Sequence, residues 1–157
     1  MTLPNYPQLV LPPCELQIHE ERGGFSVYDE CRMQWVSFTP EEWVRQHVLH
    51  YLIYKKHYPR LLLRVEERVI VNGQAQRADI VVYGRDTKPY LLVECKAAYI
   101  AIGDDTIWQV ATYNSVLNAP YFAVTNGMGI AVFQTNTASG VSYWGTDFPE
   151  YPPRDKN

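Results

Sequence analysis

The sequence holds only three cysteines, Cys14, Cys31 and Cys95, widely spaced and with no Cys-x-x-Cys pair. That excludes a disulfide framework and a cysteine-built zinc site, and it points to a reducing cytoplasm. No apolar run reaches membrane-spanning length and no charged-then-apolar leader opens the chain, so neither a membrane segment nor an export signal is expected. Neither sign of charge dominates: 14 Lys and Arg stand against 17 Asp and Glu, a formal net charge of −3. A free-standing nucleic-acid binder would carry a basic excess, so any such contact must rest on local patches. Internal repeats, low-complexity tracts, a Walker phosphate loop, a His-Glu-x-x-His motif and a Gly-x-Ser-x-Gly elbow are also absent, which removes the chemistries those motifs carry. What is present is 157 residues of ordinary globular composition, enough for a single domain with one sizeable core.

The informative stretch is Arg77 to Ala97. Two β-prone runs, Arg77 to Tyr83 and Tyr90 to Ala97, flank a turn-forming connection from Gly84 to Pro89. Folding that hairpin about Asp86 and Thr87 sets Asp79 opposite Glu94 and Val81 opposite Leu92. Side chains alternate faces along a strand, so one face carries Ala78, Ile80, Val82, Leu91, Val93, Cys95 and Ala97, all apolar. The other brings together Asp79, Glu94 and Lys96 above Val81, Tyr83, Tyr90 and Leu92. Cys95 falls on the apolar face and reads as a small core hydrophobe rather than a nucleophile.

The rest of the chain frames this hairpin. Residues 1–13 read as a proline-rich extended arm, and Leu16 to Phe38 as an antiparallel meander. Thr39-Pro40-Glu41-Glu42 is a helix start, with Thr39 as N-cap, Pro40 at the first helical position and Glu42 as capping-box partner. The helix should reach about Lys56, with Val44, Val48, Tyr51 and Leu52 as its buried stripe. A strand from Leu61 to Val71 and a turn at Asn72-Gly73 lead into the hairpin. A second helix, capped by Asp104 or Asp105, should run to about Asn118 on the stripe Ile107, Val110, Ala111, Asn114 and Leu117. Strands follow at Tyr121 to Thr125 and near Gly129 to Gln134, and a tail with Trp144 and Phe148 should wrap the body and fray at 154–157. The expected domain is thus a single unit: arm and meander over 1–38, a core over 39–135, and a tail over 136–157.

Asp79 with Glu94-x-Lys96 on the next strand of a helix-strand-strand-strand-helix-strand core resembles the PD-(D/E)xK nuclease superfamily. Within it the residues are most similar to the N-terminal nuclease domain of type I restriction enzyme R subunits. The likeness is carried by Pro40 to Gln46, Arg77 to Val82, Val93 to Ala97, Gln109-x-x-x-Tyr113 and Thr125-Asn126-Gly127. It departs from the superfamily in having Ala78 where the naming proline stands. The resemblance implies an α/β fold of the α+β type, restriction-endonuclease-like, with a mixed central sheet flanked by helices and the meander added.

It also implies a Mg²⁺-dependent DNA endonuclease, with Mn²⁺ as a substitute. Asp79, Glu94 and the backbone carbonyl of Cys95 would be metal ligands, and Lys96 would activate water and stabilise developing charge. Glu42 becomes the first acidic residue, reaching the metal directly or through water, with Glu41 its rival. Gln109 and Tyr113, one helical turn apart, would line the wall of the site. Bland readings stand beside these: an exposed hairpin face with surface ion pairs for Asp79, Glu94 and Lys96, a cap for Glu42, and a half-buried helix edge for Gln109 and Tyr113.

Arg45, Lys55, Lys56, Arg60, Arg64 and Arg68, with Arg77 and Lys88 at the hairpin, are the candidate phosphate contacts, although a solvated helix end explains Lys55 and Lys56 equally. Nothing resembles a base-reading helix, and no motor domain is expected within these residues. DNA specificity should therefore lie with partners, such as the motor or specificity subunits of a restriction system. The alternative function is a catalytically inactive module of the same fold that binds DNA or serves as a scaffold.

Overall fold

In the computed structural model, residues 2–136 and 138–154 are described. The elements in order are β1 (Ile18–Glu21), β2 (Gly24–Asp29), β3 (Gln34–Ser37), α1 (Pro40–His50), β4 (Leu63–Val71), β5 (Gln74–Tyr83), β6 (Pro89–Cys95), α2 (Asp104–Leu117), β7 (Tyr121–Thr125), β8 (Ile130–Asn136) and β9 (Gly140–Gly145). Strands β1 to β3 form the antiparallel meander, and β4 to β9 form a second sheet in sequential order. That sheet is mixed, because β6 and β7 run parallel while its other neighbours are antiparallel. Running from α1 to β7, this is the αβββαβ order expected. No helix among the described residues is long and apolar enough to cross a membrane.

Local chemistry explains both helices. Thr39 is extended and its hydroxyl accepts from the Glu42 amide at 3.1 Å, with Pro40 opening α1. The other half of the expected capping box does not form: the Thr39 amide donates to Ser37 O, and the Glu42 carboxylate is drawn into an ionic network described below. Past His50 the helix widens into a π-turn over Tyr51–Lys55, closed by Lys56 N donating to Tyr51 O at 3.0 Å. The N-cap of α2 is Gly103 rather than either aspartate. Asp104 and Asp105 lie in the first turn, where their charge favours the helix dipole.

One helix covers each face of the large sheet. Val44, Val48 and Leu52 pack with Ile80, Val82, Leu91, Val93 and Cys95. On the opposite side Val110 and Tyr113 pack with Val81, Leu92, Phe122 and Val124. Each fully buried Val or Leu of these layers stabilises the fold by roughly 1.5–3 kcal/mol relative to exposure.

The hairpin register is as expected, Ile80 pairing with Val93, Val81 with Leu92 and Val82 with Leu91. The alternation of faces, however, breaks in one place. Ala78 joins Val81 and Leu92 in the α2 layer instead of Ile80 and Val82 in the α1 layer. On β4 the same switch separates Val65 from Val69. Pairing keeps one register on both sides, Val65 with Ile80 and Glu67 with Ala78, so no residue has been inserted. The break coincides with Glu66, whose φ of 55° is left-handed and costs a non-glycine residue roughly 1–3 kcal/mol. The sheet thus reverses its faces beside Asp79.

The tail contributes a strand that sequence periodicity does not show, since β9 is exposed along nearly all its length. Beyond it the chain wraps the body as expected: Phe148 is buried, and Tyr90, Tyr151 and Arg85 bond across to and from the tail backbone and Tyr83. Of the expected frayed end, residues 155–157 lie outside the described residues.

Thr125-Asn126-Gly127 anchors the end of the sheet nearest the charged residues. Thr125 O accepts from Lys96 N at 2.8 Å, and the Asn126 carboxamide accepts from the amides of Met128 and Gly129. Gly127 has φ 80°, and a Cβ there would come within 2.6 Å of buried Leu9. Gly127→Ala should therefore destabilise the protein by about 1–3 kcal/mol. Urea unfolding measures this, and a midpoint equal to that of wild type would refute the packing argument.

Candidate active site

Asp79, Glu94 and Lys96 converge where β5 and β6 leave the covered part of the sheet. Both carboxylates are buried. Asp79 Oδ2 accepts from the Cys95 amide at 2.6 Å, and its Oδ1 accepts from Arg45 Nη2 at 2.9 Å. Glu94 Oε1 lies 3.4 Å from Lys96 Nζ, while its Oε2 is buried without a hydrogen-bond partner among the described residues. Burial first, and then the adjacent charge of Asp79, push the Glu94 carboxyl up from 4.5 to about 8, against the opposing pull of Lys96. The Cys95 side chain is fully buried in the α1 layer, where burial raises its thiol pKa well above the ordinary value.

The N-terminal turn of α1 closes one side of the site, and here the two glutamates part company. Glu42 is buried and accepts from Arg32, from Arg45 Nη1 at 2.6 Å and from Gln46 at 2.9 Å. Glu41 is half exposed and pairs with Arg45 at 2.9 Å. Burial and the Asp79 charge both raise the pKa of Glu41. Arg45, expected among the phosphate contacts, is instead buried among Glu41, Glu42 and Asp79. Behind it Asp29 holds Arg32 and Gln46, and Glu66 lies 3.5 Å from Arg32 and 3.7 Å from Arg45.

Sequence reasoning missed Arg32, Asp29, Gln46 and Glu66 as parts of this network. Spacing offered one clue: Arg45 follows Glu41 and Glu42 by four and three residues, one helical turn. Arg32 and Asp29 come from the meander and had no such signal. The remaining expected residues lie apart, since Gln109 donates to the Tyr113 hydroxyl at 3.0 Å and that hydroxyl meets Gln76 at 3.4 Å. Their hydrogen bonds join α2 to β5 rather than to the carboxylates.

An open cleft of about 950 Å³ adjoins the site through Arg45 and Lys96, lined also by Arg32, Glu41, Glu42 and Glu66 with residues of β3 and the loop after β6; buried Asp79 and Glu94 are not part of its lining. A family description, type I restriction enzyme R protein N terminus, matches residues 40–149. The chain belongs to this family. Its matched span of the R protein N terminus takes in every element from α1 to β9, so the cleft is built from family residues together with the meander. Among solved structures, the type IIG restriction endonuclease BpuSI aligns at a TM-score of 0.41 and 16% identity, over 62% of this chain and 12% of that one. No curated protein matches the chain.

The atoms beside the cleft of this R protein N-terminal domain bear on whether it could hold a divalent cation. Among the described residues no three His, Cys, Asp or Glu side chains form a metal-holding group. A hard cation of the Mg²⁺ type needs only one or two protein carboxylates, the shell being completed by water and substrate oxygen. Adjacent Asp79 and Glu94, with a buried Glu94 oxygen that has no hydrogen-bond partner among the described residues, meet that requirement.

Because folding raises the Glu94 pKa from 4.5 to about 8, the folded state holds the proton more tightly than the unfolded chain. The associated stability is complete below pH 4.5 and is lost as pH rises through 8. In chelator-containing buffer the wild type should lose stability on the order of a few kcal/mol between roughly pH 5 and pH 9, and Glu94→Gln should flatten that decline. Parallel pH slopes for the two proteins in urea unfolding would show that Glu94 is not the group responsible.

Proposed function

We propose that the domain is a Mg²⁺-dependent DNA endonuclease whose catalytic group is Asp79, Glu94 and Lys96. The observation that carries this reading is the buried pair of neighbouring carboxylates with an unsatisfied Glu94 oxygen and a lysine at 3.4 Å. Such a pair is unfavourable without a shared cation. Asp79, Glu94 and the Cys95 carbonyl would hold Mg²⁺, or Mn²⁺ in its place. When bound, the ion neutralises a non-bridging phosphate oxygen and lowers the pKa of a water molecule.

The chain's own residues supply the rest. The Cys95 amide fixes Asp79 in its rotamer, and Lys96, partly exposed to the cleft, orients the attacking water and stabilises charge growing on the phosphate. Of the two helix glutamates, Glu42 has its oxygens committed to Arg32, Arg45 and Gln46, so its part is to hold Arg45 in place. Glu41, the freer of the two, is the acid available to the cleft. Gln109 and Tyr113 steady the β5 wall through Gln76. Phosphates outside the scissile position fall to Arg68 and Arg77, which pair directly across β4 and β5. Both are exposed and Arg77 reaches Glu66 at 3.7 Å. Like charges placed opposite destabilise a sheet and would gain from a bridging anion. Motor or specificity subunits of a restriction system would direct the domain to DNA in the cytoplasm.

One observation favours the second reading, an inactive DNA-binding or scaffolding module: the guanidinium of Arg45 already bridges Asp79 and Glu42 and so supplies a cation without any metal. Incubation with supercoiled plasmid and Mg²⁺ separates the two. The wild type should nick or linearise the plasmid, with Asp79→Ala and Lys96→Ala each slower by on the order of 10²–10⁴-fold. Cleavage that survives both substitutions would refute the assignment. Mg²⁺-enhanced DNA binding with no cleavage would instead establish the scaffold.

A further inference from the structure

Beside the acidic cleft lies a second cavity of about 380 Å³, lined by Asn5, Tyr6, Pro7, Pro40, Trp43, Ala98, Tyr99 and Met128. Its size is that of a small-ligand site, about 300–1,000 Å³. Pro40 and Tyr99 line both cavities, so the two adjoin, and Tyr99, three residues after Lys96, borders each of them. The polar tips of the other aromatics are already used: Tyr6 Oη donates to Phe38 O and Trp43 Nε1 to Pro7 O, both at 2.9 Å. What they offer inward is ring surface. Tyr99 is 77% exposed, although its loop is firmly held by Ile100 N donating to Ala97 O at 3.0 Å and Asn126 Nδ2 donating to Ile100 O at 2.8 Å. An exposed aromatic on a fixed loop is a stacking platform.

Charge says what should stack there. The cations lining the cleft, Arg32, Arg45 and Lys96, are each paired with carboxylates, so among the described residues no unpaired cation lines the cleft to grip a rigid duplex. An aromatic pocket beside that cleft offers surface for binding of another kind, that of an extruded base held between apolar side chains. With few polar groups in its lining, the pocket accepts any base.

We propose that this cavity receives an unpaired nucleobase of the DNA strand lying in the cleft, with Tyr99 stacked on it, so that the domain prefers DNA containing unpaired bases. The proposal rests on the nuclease reading of the cleft for its substrate.

The test uses a fluorescently labelled DNA oligonucleotide as a single strand, as a fully paired duplex and as a duplex with one unpaired base. Binding to the full chain is followed by anisotropy with Ca²⁺ in place of Mg²⁺, and cleavage is measured in parallel with Mg²⁺. The single strand and the bulged duplex should bind about tenfold more tightly than the paired duplex. Tyr99→Ala should remove about tenfold of that affinity, ~1.4 kcal/mol, while leaving paired-duplex binding unchanged. Tyr99→Phe, which keeps the ring, should retain it. Equal affinity for paired and unpaired DNA, an equal loss on all three probes in Tyr99→Ala, or no binding to any probe would overturn the proposal. Discrimination without cleavage would uphold the pocket and reject the nuclease reading, whereas cleavage without discrimination would do the reverse.

Discussion

Two carboxylates buried side by side at the end of a β-hairpin need compensating charge, and the surroundings of Asp79 and Glu94 are arranged around that need. Arg45 answers for Asp79 from α1, and Lys96, just past the end of β6, answers in part for Glu94. Compensation stops short at Glu94 Oε2, which is buried and, among the described residues, has no hydrogen-bond partner in this geometry, and burial with the neighbouring Asp79 carboxylate raises the carboxyl pKa to about 8. An enclosed acid left short of partners is an unfavourable arrangement for stability alone. It is also the arrangement that a divalent cation would relieve.

Arg45 sits at the junction of three elements, bonded to Glu41 and Glu42 on its own helix and to Asp79 on β5, with Glu66 of β4 3.7 Å away. Through Glu42 and Gln46 it is tied to Arg32 and Asp29 in the meander. The N-terminal sheet is therefore joined to the central one by ion pairs, with Cys31 of the β2–β3 turn packed against the α1-side core. Most of these groups are buried, so removing any one member would strand its partners in a medium of low dielectric. The left-handed Glu66 belongs to the same set, because its carboxylate faces Arg32, Arg45 and Arg77. Backbone strain at a residue that touches the network agrees with the general tendency of strain to gather at functional sites.

The sequence by itself determined the parts whose chemistry is local. Side-chain alternation with period two placed Asp79 and Glu94 in register, and the hydroxyl of Thr39 with the ring of Pro40 marked the start of α1. The Asn72-Gly73 pair named its own turn, since both residues adopt the positive φ that the hairpin requires. Element order followed from these, and with it the family resemblance.

Only the tertiary structure decided what depends on residues distant in sequence. Glu42 serves the ionic network instead of completing its capping box, because Arg32 from the meander offers a buried carboxylate more than the Thr39 amide does. Ala78 changes layers because the chain twists at Glu66, and no periodicity announces a twist that leaves the register intact. Strand β9 escaped sequence reading because both its faces are exposed, so it carries no alternation to detect. Arg45 looked like a surface cation and is buried, since its burial depends on three carboxylates that come together only once α1 lies across the hairpin.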